Sequence, residues 1–412
     1  MKFELEYFHN RQNNLNKYSN DIYDLLKAGY ISDYNKMDVL PQSVNTWVGS
    51  ITNTTKLLGE DFSYGLRFSQ NQILNDDSTY DNSTIPLQLL ASQKISYKET
   101  NYAAFTSWQK QVKNLFIQLG LRIENNKIDS RSDSLNGVVN YNWFNVFPNL
   151  LFQYSKTASS YWILSFNKSF KRPDYSLLNP YQRLTDNSSA KFEGNTHILP
   201  QKNFDISLGW TNNNSITVYS GFLIYKDMIS TLYLKDPSFA VLYQKYDNFY
   251  LQGSYLTATY AINIKNWWRS SFDGYGLFYK TKYKQIKPGR TTPLISLNLT
   301  NDFTVNSKLQ LGINAYFKPT YSDGYYTHYQ QGNINIALTR KLGKEISISI
   351  FGNDLFKNDG YKEKALYDIY YKESGYMDSR QVGISILWKF GKQNLKNRKI
   401  NPLESDASKN RL

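Results

Sequence analysis

Apolar and polar residues alternate with a period of two along most of this chain, most clearly between Ser160 and Tyr225. In a first segment Trp162, Leu164, Phe166, Lys168 and Phe170 fall on one face, and Tyr161, Ile163, Ser165, Asn167 and Ser169 on the other. In a second, Phe204, Ile206, Leu208 and Trp210 oppose Asp205, Ser207 and Gly209. In a third, Ile216, Val218, Ser220, Phe222 and Ile224 oppose Thr217, Tyr219, Gly221, Leu223 and Tyr225. That period is the mark of a β-strand with two different faces. About sixteen such strands are predicted, near 2–10, 43–55, 62–72, 95–108, 114–125, 143–154, 161–170, 204–210, 216–225, 246–260, 267–283, 294–303, 308–318, 333–339, 345–353 and 380–390.

The connections follow a parity rule. Even-to-odd connections are short turns of about four or five residues, and odd-to-even connections tend to be long polar loops. Propellers and sandwiches have no reason to keep this rule. Transmembrane barrels keep it, because short turns face the periplasm and long loops face outward. The pattern predicts an all-β, antiparallel, meandering transmembrane barrel over residues 1–390, with no long helix. On this reading Trp162, Leu164, Phe166, Ile206, Leu208, Ile384 and Ile386 face lipid. Ser165, Asn167, Asp205, Ser207, Gly383 and Ser385 face the lumen.

Composition fits. The 412 residues include 35 Tyr, 23 Phe and 8 Trp, more aromatic side chains than a soluble core needs, and only 20% are charged. No apolar run approaches the roughly 20 residues of a spanning helix. A soluble all-β binding protein is the alternative that composition leaves open. The formal charge of +14 invites a nucleic-acid reading, but the basic residues are scattered and no recognised motif accompanies them. Residues 391–412 lose the alternation and read as a basic, solvated periplasmic tail. There is no cysteine, and His9, His197 and His328 lack ligand spacing, so neither a metal nor a cofactor is expected. No nucleophile, Walker or zinc-protease motif is present, and no enzymatic activity is expected.

Several motifs then carry a family resemblance. They are Arg172-Pro173, Leu178-Asn179-Pro180, Gly194-Asn195 and Pro200, with Gly120-Leu121-Arg122-Ile123-Glu124, Phe147-Pro148, Gly352-Asn353-Asp354-Leu355-Phe356 and the terminal Trp388-Lys389-Phe390-Gly391-Lys392. In this order they resemble the C-terminal barrel of TonB-dependent outer-membrane receptors, in the branch common in Bacteroidetes. Thr196 stands where that pattern usually has Pro, and Gln201 where it usually has Glu. The resemblance implies a Gram-negative outer membrane and import of a siderophore, glycan, peptide or similar ligand. It implies as partners membrane lipid, lipopolysaccharide, a plug domain, TonB and a surface lipoprotein. A passive pore or structural barrel is the alternative.

The family barrel has about 22 strands. The N-terminus, Met1 to Glu6, already reads as a strand without a leader, so the chain is expected to be the later part of something longer. The first and last strands would then lack their partners, which predicts an open or strained seam between 2–10 and 380–390. Within the loop after the seventh strand, Arg172, Tyr175, Tyr181 and Arg183 are candidate ligand contacts, since Tyr and Arg dominate binding hot spots. The Pro and Asn positions there read as loop-shaping.

Overall fold

A computed structural model of the chain describes residues 1–24, 29–133, 138–179, 183–184, 190–235, 242–343, 345–367, 369 and 371–390. It contains sixteen long antiparallel strands. These are β1 (Lys2–Asp24), β2 (Gly29–Leu57), β3 (Glu60–Asp81), β4 (Gln88–Val112), β5 (Leu115–Ser132), β6 (Val138–Thr157), β7 (Ser160–Lys171) and β8 (Gln201–Asn212). They continue as β9 (Ile216–Lys235), β10 (Leu242–Lys265), β11 (Trp268–Lys282), β12 (Leu294–Asn306), β13 (Leu309–Lys318), β14 (Gln331–Leu342), β15 (Ile346–Asn353) and β16 (Gln381–Trp388). Each pairs with its sequence neighbour, so the sheet is a meander. The one described helical element is a 3₁₀ turn at Tyr175–Leu178.

Two expectations about connections are corrected. The even-to-odd turns are tighter than anticipated. Leu58 and Gly59, at φ 53° and 82°, and Asn213 and Asn214, at 50° and 52°, take the left-handed conformations that tight hairpins of the right twist require. The early long loops are largely strand. The β1–β2 ladder runs from Lys2↔Thr52 to Asp24↔Gly29, although the sequence pattern stopped the first strand near Asn10. A tilted membrane crossing takes only about 9–11 residues. Beyond the hydrocarbon no alternation is required, but each backbone N–H still gains a partner. Polar residues therefore continue the ribbon without leaving a hydrophobic trace.

The apolar row lies on the convex side. Trp162, Leu164, Ile206, Leu208, Ile384 and Ile386 are all exposed, and Phe166 packs edge-on against Phe204 on that same face. The concave face carries Ser207, Asn71, Glu99, Asn101, Glu124 and Asn126, all buried. Ser165 and Ser207 hydroxyls share a 2.7 Å hydrogen bond there. Asn167 and Ser385 share that face and remain exposed. Apolar outside and polar inside inverts the soluble-protein rule and removes the soluble alternative.

The sheet does not close. Among the described residues β1 pairs only with β2, and β16 only with β15. The edge strand β16 leaves Val382 80% and Ile384 69% exposed.

Candidate functional site

The connection from β7 to β8 folds back inside the concave wall as a strap. Its 3₁₀ turn inserts Tyr175 and Leu178 between Val44 on β2, Ile73 on β3, Tyr97 on β4 and Ile128 on β5, with Ile198 from the returning leg completing the cluster. Tyr175 is only 3% exposed. These wall residues are apolar interruptions in an otherwise polar face. The strap covers them, which is a local hydrophobic driving force for its position.

Polar contacts fix the strap at each end. Arg172 Nε donates to Glu99 Oε1 at 2.6 Å, and its Nη2 reaches Asn126 Oδ1 at 3.0 Å and Glu124 Oε2 at 3.4 Å. The guanidinium also lies 4.3 Å from the centre of the Phe170 ring. Asn101 Nδ2 donates to both Glu124 Oε2 and Asn126 Oδ1, at 2.8 and 2.7 Å, and Arg122 pairs with the other Glu124 oxygen. Further along, Asn179 Nδ2 donates to Asp77 on β3. Two nearly fully buried carboxylates, Glu99 and Glu124, are thus neutralised by arginine and by amide donors. Buried charge demands that pairing.

The motif residues of the returning leg close the strap on itself. The Gly194 N–H donates to the Asn179 carbonyl at 3.0 Å, and the Asn195 N–H to the Leu177 carbonyl at 2.6 Å. A Cβ on Gly194 would stand 2.2 Å from that Asn179 oxygen, so no side chain fits there. The Asn195 side chain caps the His197 N–H at 2.9 Å and donates to the Tyr246 carbonyl at 3.2 Å. Pro173 and Pro200 are buried at the two ends. Pro180 and Tyr181 lie outside the described residues. Arg183 is described only by its backbone, which pairs with Phe192.

Away from the strap, β9–β11 present tyrosines to the lumen. Tyr225, Tyr255, Tyr275 and Tyr279 pack around Leu223, Leu251 and Leu277. Directly across from each ring of one set lies a glycine: Gly209 faces Tyr219, Gly221 faces Tyr255, and Gly253 faces Tyr279. A Cβ at Gly209 would stand 2.2 Å from the Tyr219 ring, so the ring occupies the space the glycine vacates. Tyr255 donates to Asp205 Oδ1 at 3.3 Å.

On the long-loop side a small sheet of 321–322, 326–328, 360–365 and 372–376 caps an aromatic cluster. Leu232, Phe249, Tyr325, Tyr326 and Tyr371 are buried in it. His328 sits between Asp323 Oδ2 at 3.2 Å and Glu363 Oε2 at 3.3 Å, with its ring stacked on Tyr321. Burial works to lower its pKa, but the hydrogen bonds to Asp323 and Glu363 and their charge outweigh it and push it up to about 9. Among the described residues no group of three or more His, Cys, Asp or Glu is arranged to hold a metal.

Sequence reasoning singled out Arg172 and Tyr175 and missed their partners. Glu99 and Asp77 carry no motif. Their only trace is a polar residue on the same row as Tyr97 or Ile73, which is ordinary for a hydrated lumen. Glu124 was visible only as part of the Gly120–Glu124 strand motif.

A wide meander with a lipid-facing exterior, a polar concave wall and an inward strap defines an outer-membrane β-barrel protein. The chain belongs to the outer membrane protein beta-barrel family, whose model matches residues 1–388. No curated protein sequence matches it. Among solved structures, the copper transporter OprC superposes with a TM-score of 0.63 at 13% identity, over 94% of this chain and 62% of that one. The pyoverdine receptor FpvA of Pseudomonas aeruginosa PAO1, bound to pyoverdine, gives 0.61 at 12%, over 94% and 59%. The ferric yersiniabactin uptake receptor FyuA of Yersinia pestis gives 0.59 at 14%, over 94% and 59%. At these identities the likeness is one of fold. The chain spans about three-fifths of each of these proteins. Its place is the Gram-negative outer membrane, and the three structural neighbours are by their own descriptions a transporter and two receptors.

Proposed function

We propose that this chain is the barrel wall of a TonB-dependent receptor. It imports a ligand of siderophore, glycan or peptide size, together with a plug domain and a TonB-contacting segment. The observation that carries this reading is the strap locked inside the wall by Arg172, Glu99 and Glu124. It covers the wall of β2–β5, while the tyrosines of β9–β11 pack around Leu223, Leu251 and Leu277 and are only partly buried. Tyrosines beside an acceptor such as Asp205 suit ligands that combine ring faces with hydroxyls. The uptake proteins that share the fold support the same reading. Within it, Tyr181 and Arg183 on the strap are ligand contacts, and Arg172 and Tyr175 hold the strap that presents them. A surface lipoprotein and lipopolysaccharide are the partners of the long-loop face, and 391–412 is a periplasmic tail.

The other reading is a passive pore built from the same wall. The test is uptake of radiolabelled ferric siderophores, oligosaccharides and peptides by cells with and without the complete reading frame. Gene-dependent uptake abolished by a protonophore is the expected result. Gene-dependent leakage indifferent to the protonophore would replace the receptor by a pore.

A further inference from the structure

The fold gathers cations at the short-turn rim that the transport reading does not use. Lys110 lies between Trp108 and the exposed Val112 on the outward row of β4 that also holds Tyr102. Arg340 lies between the exposed Leu338 and Leu342 on the outward row of β14. Lys113 and Lys308 occupy turns, and Lys156 the exposed end of β6. None of these five has an ion-pair partner among the described residues. The carboxylates of this rim are Glu60, Asp61, Asp302 and Glu345, and Asp61 is already tied to Lys56 at 2.8 Å. In sequence these lysines look scattered. The meander brings them to one level because every second connection ends there.

That level is marked independently by aromatic rings. Tyr154, Trp162 and Trp267 are exposed beside the same turns, with Trp162 against Trp210 at 5.9 Å and Trp268 against Phe303 at 5.6 Å. Amphipathic rings settle at the headgroup boundary of a bilayer. Cations one or two residues further out then stand at the depth of lipid phosphates, where each Lys or Arg adds attraction to an anionic surface.

We propose that this rim binds the phosphate groups of anionic phospholipid in the periplasmic leaflet, through Lys110, Lys113, Lys156, Lys308 and Arg340. Short turns face the periplasm in such barrels, which makes phospholipid rather than lipopolysaccharide the occupant.

The experiment uses the whole chain in neutral detergent micelles doped with brominated lipid, read by quenching of the rim tryptophans. Brominated phosphatidylglycerol is expected to quench at a severalfold lower mole fraction than brominated phosphatidylcholine. The preference should shrink at about 0.5 M salt, where screening shortens to a few ångströms. It should vanish in the combined variant K110Q, K113Q, K156Q, K308Q and R340Q, checked for unchanged β-content by circular dichroism. Native mass spectrometry of the wild type, counting bound phosphatidylglycerol against phosphatidylcholine, gives a reading independent of the variant. Equal quenching or equal adducts in the wild type would overturn the proposal, as would a preference that survives in the folded variant. Lipopolysaccharide that displaces the brominated anion equally from both proteins would place the anion site on the opposite rim and overturn it too.

Discussion

Arg172 Nε lies 2.6 Å from Glu99 Oε1, and this contact joins the start of the strap to a strand 73 positions earlier in the chain. Glu99 is 1% exposed and the Arg172 side chain 23% exposed, so the carboxylate depends on the guanidinium more than the reverse. Removing the arginine takes away the guanidinium that Glu99 and Glu124 share, and Glu124 keeps Arg122.

Arg172→Ala is therefore expected to destabilise the folded protein by about 2–3 kcal/mol, at the lower side of buried-pair losses because the arginine is partly solvated. Arg172→Lys should recover only part of this, since an ammonium cannot serve Glu99 and Asn126 with one rigid fork. Urea unfolding in detergent micelles measures both. An alanine variant as stable as wild type would show that the strap is held by Tyr175 and Leu178 alone.

Gly194→Ala tests the returning leg. The added methyl meets the carbonyl oxygens of Asn179 and Leu177, and backbone atoms cannot step aside as a flexible side chain can. A loss of about 1–3 kcal/mol is expected, as for other overpacked sites. Limited proteolysis should cut 172–200 sooner than in wild type while the hairpins stay protected. Unaltered cleavage would mean that the strap tolerates a wider turn.

His328 gives a pH dependence of definite sign. Its pKa is raised from 6.5 to about 9 in the folded state by Asp323 and Glu363 against the opposing effect of burial. The stabilisation is complete below the unfolded value and is lost as pH rises through about 9. The neighbouring Tyr321 phenol, pushed up to about 12 by burial and by Asp323, stays neutral over this window. Thermal unfolding of the long-loop cluster should fall in midpoint between pH 7 and 10, and His328→Asn should flatten that fall. An equal slope in both proteins would assign the effect to another group.

The seam predicts an exchange pattern. Among the described residues β16 has no ladder beyond β15, whereas β8 is bonded on both sides by β7 and β9. In detergent, amides of Gln381–Trp388 should exchange at least ~10²-fold faster than those of Phe204–Trp210, as expected for local opening at an edge. Comparable protection would mean that β1 and β16 find partners.

The strand count, the meander and the lipid-facing rows were legible in the sequence. Hydrocarbon forces a strict period of two wherever a strand crosses it, as at Trp162–Phe166, Phe204–Trp210 and Val382–Trp388. The loop-shaping reading of the Pro and Asn positions in the strap came from local chemistry, since Pro fixes φ and Asn supports turns through its side chain. Three things were settled only in three dimensions. The ribbon beyond Asn10 left no pattern, because outside the bilayer a ladder can form from polar residues on both faces. The partners of Arg172 lie on strands far away in sequence, and any lumen-facing carboxylate looks alike until a strap reaches it. The rim cations look dispersed along the chain and become a level only because a meander returns to the same edge at every second turn. A sequence records what each residue meets along its own strand; register between strands decides which distant charges must be neutralised together.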